Sequence, residues 1–271
     1  MFFLNFKIKI MKKLITVIVF FILPLLSNAQ TKTQQALIDG YLENCGNKLY
    51  YHAPEWQECL DRMLEKDSTV AYFWQQKAMP YFKAKKYEVG MALQDKAVKY
   101  DIKQLPYRGF IKCIFAKTYH EAIADFEKSI ELFGNGYEMD HTYNFYIAVS
   151  CLQLNQFERA EKILEKELKN TIDKNGNDNA HHLDLFYYGI SKLEQKKWQD
   201  ALDIFDRALK IYPQFSDVKF YKMICLSRLG KSDETQKVYD EARADFKAGY
   251  TINEDNVVYE HYPYQITYYR E

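Results

Sequence analysis

A chain of 271 residues, 48% hydrophobic and 16% aromatic, has ample material for a buried core. Its 37 basic and 37 acidic side chains balance, and without the four lysines of the first 29 residues the remainder carries 33 basic against 37 acidic. That balance, with no basic stripe along the chain, excludes a nucleic-acid footprint. The opening holds Lys7, Lys9, Lys12 and Lys13, no acid, an apolar run from Leu14 to Leu26, and then Ser27-Asn28-Ala29. It reads as a signal peptide over residues 1–29, with Gln30 first in the mature chain and Met11 as an alternative start. The apolar run is too short for the ~20 residues of a spanning helix, which favours cleavage over a retained anchor. No cysteine closely follows that run, so a lipoprotein is not expected.

Residues 30–70 read as an irregular helical cap. Ala36 to Cys45 is one candidate helix, and Pro54 to Lys66 is another, with Pro54 suited to a first turn. Trp56, Leu60, Met63 and Leu64 give the second an apolar stripe. From Ala71 a pattern of paired amphipathic helices recurs. Its clearest copy runs from His182 to Phe215, where two helices meet at the polar turn Gln195-Lys196-Lys197. Gly189 sits in the first helix, Trp198, Ala201, Phe205 and Ala208 in the second, and Pro213 ends it. The small residues let two helices approach, and the rings fill the space left.

This arrangement resembles the tetratricopeptide repeat, a 34-residue helix pair with the pattern W-x2-L-G-x2-Y, A-x3-F and P. Leu185 and Lys192 replace the usual first-helix aromatics. Earlier copies carry Trp74, Ala78, Tyr81, Tyr87, Gly90 and Ala97, then Tyr119, Ala122 and Phe126, then Ala148, Phe157 and Ala160. A last copy keeps Tyr239 and Ala242. Pro106 and Gly109 leave the start of the second copy's first helix open. The residues opening each second helix are Tyr87, Tyr119, Phe157, Trp198 and Ser232, at steps of 32, 38, 41 and 34. The longer steps imply loops at Gly134 to Asp140 and Asn170 to Ala180. The resemblance implies an all-α, right-handed superhelical solenoid of antiparallel helix pairs, about five repeats over residues 71–246. The ending Ser-Asn-Ala-Gln of the leader is similar to that of exported proteins of the Bacteroidetes.

Gly249 suits a C-terminal cap for the last helix. Residues 247–271 form an irregular, aromatic, β-prone tail, read as folding over the last helix or along the groove, or else as a docking strand for a partner. Five cysteines show no C-x-x-C and no metal-ligand spacing with histidine. Cys113, Cys151 and Cys225 suit the core, whereas Cys45 and Cys59 have both a bridged and a free reading. The loop Asp173 to Asn179 resembles a calcium loop, but Gly176 falls at the fourth place and no Glu closes it, so a polar turn is expected. No nucleophile, metal or phosphate-loop motif appears, so no enzyme, metal or cofactor is expected. An enzyme with a site in the 170–182 loop stands as the minor alternative.

By the same resemblance, the first helices line a concave groove for a peptide or protein segment. Projection places Tyr72, Gln75, Met79, Phe145, Val149, Phe186, Ile190 and Phe220 there. Gln75, Met79, Phe145 and Phe186 stand where carboxylate-binding members carry Lys, Asn and Arg. An extended apolar peptide, or the chain's own tail, is therefore the expected occupant. The expectation is a periplasmic or secreted interaction scaffold without stable membrane insertion, or an accessory subunit of a cell-envelope complex.

Overall fold

The computed structural model describes residues 32–171 and 179–267. The expected signal peptide, the alternative start at Met11, most of the loop from Asp173 and the tyrosines Tyr268 and Tyr269 lie outside the described residues. Among those described are twelve α-helices: α1 (32–41), α2 (Pro54–Lys66), α3 (Ala71–Lys83), α4 (Tyr87–Tyr100), α5 (Leu105–Phe110) and α6 (Tyr119–Phe133). They continue as α7 (Tyr143–Gln153), α8 (Phe157–Asn170), α9 (His182–Glu194), α10 (Trp198–Ile211), α11 (Ser216–Arg228) and α12 (Ser232–Lys247). A short antiparallel ribbon, β1 (Tyr137–Glu138) with β2 (His141–Thr142), precedes α7. None of the described helices is long and apolar enough to cross a membrane. The chain divides into two compact units, residues up to 80 with 92–101, and residues 81–91 with those from 102 on.

The first unit is built on Tyr41, which is fully buried among Trp56, Cys59, Leu60, Leu64, Val70 and Phe73. Its ring meets Trp56 edge-on at 5.7 Å and Phe73 at 5.6 Å, an arrangement that suits the ring quadrupoles. α1 runs into a π-helical turn, Leu42–Gly46, that carries Cys45. Cys45 is bonded to Cys59 of α2, with Cα atoms 6.5 Å apart. Pro54 opens α2 as expected. Asp67 ends the helix in a tight turn, accepting from the Thr69 amide at 2.8 Å and hydroxyl at 2.6 Å, and these bonds hold its carboxyl below the ordinary range.

In the second unit, α5 packs on α6, α7 on α8, α9 on α10 and α11 on α12, and each second helix packs on the first helix of the next pair. Glycine makes the close approaches possible. A Cβ at Gly189 would lie 2.3 Å from the buried Phe205 ring, and one at Gly109 would lie 3.0 Å from Phe126. Gly109 is thus the small residue of its pair. Pro106 lies in the first turn of α5, where its missing N–H costs nothing, and this settles where that helix starts.

α4, α6, α8, α10 and α12 begin at Tyr87, Tyr119, Phe157, Trp198 and Ser232, the five ruler residues. Two positions before each stands a residue with left-handed backbone: Lys85, Lys117, Asn155, Lys196 and Gly230, with φ from 57° to 75°. Such a residue ends a helix when the next amide reaches back five residues to a free carbonyl. Lys86 bonds Tyr81 in this way at 2.8 Å, Gln156 bonds Cys151 at 2.9 Å, and Lys197 bonds Lys192 and Lys231 bonds Leu226 at 3.0 Å. After α5 the reach is six residues, Thr118 to Lys112, because the π-helical turn Ile111–Phe115 takes up one extra residue. α12 ends on Gly249, with φ of 88° and Tyr250 bonding Asp245 at 2.9 Å.

Candidate functional site

The tail, described from Tyr250 to Thr267, contains no strand despite its β-prone composition; its regular piece is a 3-10 turn, Asp255–Val258. The tail leaves α12 with Ala242 as its only buried residue, the other side chains being exposed or partly exposed. It follows a side presented by α9 and α11, where it meets Tyr187 and Tyr221.

Asp217, in the first turn of α11, organises this site. It is fully buried, and Oδ2 accepts from the Thr251 hydroxyl at 2.7 Å and the Ile252 amide at 3.2 Å. Oδ1 accepts from the Ile266 amide at 2.8 Å. One carboxylate therefore closes residues 252–266 into a loop by holding both ends. Burial pushes the Asp217 carboxyl above its ordinary range even against these bonds. Ile252, Tyr262 and Ile266 supply the buried apolar side of the loop.

Tyrosines of the helices hold the tail's carbonyls. Tyr187 of α9 donates to Pro263 at 2.9 Å, and Tyr221 of α11 donates to Tyr264 at 3.0 Å. The Tyr264 hydroxyl in turn donates to Glu194 at 2.9 Å. Farther along, Glu260 accepts from the Tyr87 hydroxyl and pairs with Lys85 at 3.3 Å and Lys117 at 3.5 Å, while Lys117 also donates to the His261 carbonyl at 3.2 Å. Burial works against the Glu260 charge, but Tyr87 and the two lysines outweigh it and hold the carboxyl below its ordinary range. Lys85 and Lys117 are the left-handed turn residues of their repeats, so the turn that ends a first helix also aims a cation at the tail.

The eight projected groove residues fare differently. Phe145, Val149, Phe186 and Ile190 are buried. Phe186 packs on Phe215 at 5.5 Å, and Phe145 stacks on His141 at 3.8 Å. The groups that hold the tail at α9 and α11 are instead their neighbours or near neighbours, Tyr187 and Tyr221. One residue turns a helix by about 100°, so a slip of one exchanges the interior for the tail face. Phe220, half-buried, lies beside Tyr221. In the first unit Tyr72 and Met79 pack against the Tyr41 cluster, and Gln75 accepts from Gln76 at 2.8 Å. Beside the buried Ile252, Tyr262 and Ile266, the tail's main chain is gripped by Asp217, Tyr187, Tyr221 and Lys117.

A second polar cluster lies at the N-terminus of α9. His141, from β2, is buried between two carboxylates, with Nδ1 3.3 Å from Asp184 of α9 and Nε2 3.4 Å from Glu254 of the tail. Burial disfavours the charged ring, yet the two carboxylates prevail and push His141 up to about 9. His181 caps α9 by accepting from the Leu183 amide at 3.4 Å, and burial with the His141 charge lowers it. Burial brings His182 down to about 4, and its Nε2 lies 3.1 Å from Asn253 Oδ1.

Residues 185–214 match the family model of the tetratricopeptide repeat, and this chain therefore carries at least that one repeat at sequence level. Its fold is similar to MamA from Desulfovibrio magneticus RS-1, with a TM-score of 0.56 and 12% identity over 66% of this chain and 96% of that one. It is also similar to YrrB, a tetratricopeptide repeat protein with an unusual peptide-binding site, with a TM-score of 0.51 and 18% identity over 70% of this chain and 93% of that one. These likenesses establish a tetratricopeptide-type fold. No curated protein sequence matches the chain.

Proposed function

We propose that this chain is a non-catalytic protein-interaction scaffold, exported to the periplasm, whose α9–α11 face binds an extended segment of a protein partner. The observation that carries this reading is that the face already holds such a segment by its main chain. Asp217 takes the amides of Ile252 and Ile266, and Tyr187 and Tyr221 take the carbonyls of Pro263 and Tyr264. Main-chain bonds supply affinity with little demand on sequence, and the buried side chains of Ile252 and Ile266 supply selectivity. The peptide-binding site of YrrB supports the same use of this fold. The Cys45–Cys59 bridge supports an oxidising compartment, in line with the leader-like opening. The tail is then an internal competitor that a partner must displace.

The test uses the folded full chain with a protease site placed at the exposed Ala248–Gly249 junction. After cleavage, a labelled peptide of residues 250–267 is expected to exchange into the face one-to-one with a micromolar Kd, followed by fluorescence anisotropy. A peptide carrying Ile252→Asp and Ile266→Asp is expected to bind at least about tenfold more weakly, in line with losing two buried anchors. Cleaved protein that keeps its helical circular dichroism but takes up no peptide would refute the proposal.

A further inference from the structure

The cluster at the start of α9 has the composition of a metal site as well as that of an ion pair. One donor atom each from His141, His181 and Asp184 lies within 4.8 Å of the others. Two of the three come from the first residues of one helix and its cap, and the third from β2, so rigid elements hold them. His141 is only 3% exposed, and Asp184 Oδ1, 3.3 Å from its Nδ1, is buried without a hydrogen bond of proper geometry. The distances of 3.3 and 3.4 Å to the carboxylates exceed the 2.7–2.9 Å usual for charge-assisted bonds. Buried donors and acceptors left in this way are costly unless something else engages them.

A cleft of about 430 Å³ opens beside the three residues, lined also by Asp140, Thr142, Glu167 and Asn179. It leaves room for a water or a fourth ligand. We propose that His141, His181 and Asp184 bind one divalent transition-metal ion of the zinc type. Two imidazoles and one carboxylate are the borderline donors that such an ion selects, and hard cations such as magnesium prefer all-oxygen sets. Glu254 lies against the other ring nitrogen of His141, where an outer carboxylate orients a ligating imidazole. Binding places the metal where the His141 proton sits in the metal-free protein, and that proton leaves to solvent. Because Glu254 belongs to the tail, metal binding and tail docking are linked through His141.

The experiment is a competition titration of the full chain, stripped with a chelator, with zinc against a chromogenic chelator. One equivalent should bind with a Kd of about 1 μM or tighter, and excess magnesium should not compete. The exposed or half-exposed ligands are the ones to change, because His141→Ala risks the fold. His181→Ala and Asp184→Asn should each weaken zinc at least about tenfold with unchanged circular dichroism, and Glu254→Gln by about 10–100-fold. Cobalt substitution should give visible absorption that disappears in the Asp184→Asn chain. No saturable one-to-one binding at micromolar zinc, or binding unchanged in both the His181 and Asp184 variants, would overturn the site.

Discussion

The helices around Tyr41 are closed by a covalent bond, and the repeats from α5 to α12 are closed by a buried carboxylate holding a loop. The Cys45–Cys59 bridge acts largely on the unfolded chain, whose freedom it restricts. Asp217 and the tyrosines act on the folded chain alone, through bonds that a competitor or a protonation can take away. A unit with a small core needs a staple because its apolar surface alone supplies little margin. A unit of stacked pairs already has margin, and it can hold its last segment by bonds that are exchangeable.

Breaking the staple should have the largest effect. With the cysteines 14 positions apart in the chain, replacing both with serine should cost about 3 kcal/mol. The loss should appear in urea titrations followed by Trp56 and Trp74, which belong to the first unit, while Trp198 in the second should move little. Equal movement of all three would mean that the bridge stabilises the whole chain as one cooperative body.

Removing the carboxylate comes next. Asp217→Ala leaves the Ile252 and Ile266 amides and the Thr251 hydroxyl without their acceptor, a loss of about 2–3 kcal/mol from the docked tail. Hydrogen exchange should quicken across residues 250–267 but not in α8 to α10. Uniform quickening would show that the tail is part of the core rather than a strap.

The smallest effect is an acid one. Glu161 on α8 accepts from Lys197 and Gln195 at 2.6 Å and Lys192 at 2.9 Å; burial opposes its charge, but these donors bring its carboxyl down to about 2. A lowered carboxyl contributes stability above about pH 4.5 that is lost as pH falls toward 2. Allowing for solvent screening at the partly exposed Lys197, the contribution is on the order of 1–2 kcal/mol. Glu161→Gln should flatten the stability of the second unit between pH 4.5 and 2. An unchanged acid limb would place that dependence elsewhere.

The helix pairs were legible in the sequence because their signal is local. Gly189 under Phe205, and a ring or serine opening each second helix, repeat within one or two turns of chain. The pair at Gly109 was harder, since a π-helical turn adds a residue and shifts the family spacing. The tail-holding face of the first helices was hard to phase, because the mostly apolar runs Tyr143–Cys151 and Leu183–Ile190 bury nearly every side chain, so Phe186 and Tyr187 are both buried although Tyr187 is the one that bonds the tail. The polar grip on the tail was out of reach, as it joins Tyr87 to Glu260 and Asp217 to both Ile252 and Ile266. Nor could spacing assemble His141 with His181, Asp184 and Glu254, which meet only once β2, α9 and the tail are in place.

The separation between Tyr87 and Glu260, 173 residues, also sets an order of events. Helix pairs form from near neighbours in the chain and so form fast, whereas contacts between distant residues wait for everything between them. As the chain emerges N-terminus first, on whichever side of a membrane it folds, the tyrosines of α9 and α11 come out ahead of residues 250–267. Under the proposed function, a partner segment present at that moment meets a vacant face, and one that arrives afterwards waits for the loop held by Asp217 to open. The same surface thus favours early arrivals by kinetics alone, with no difference in affinity.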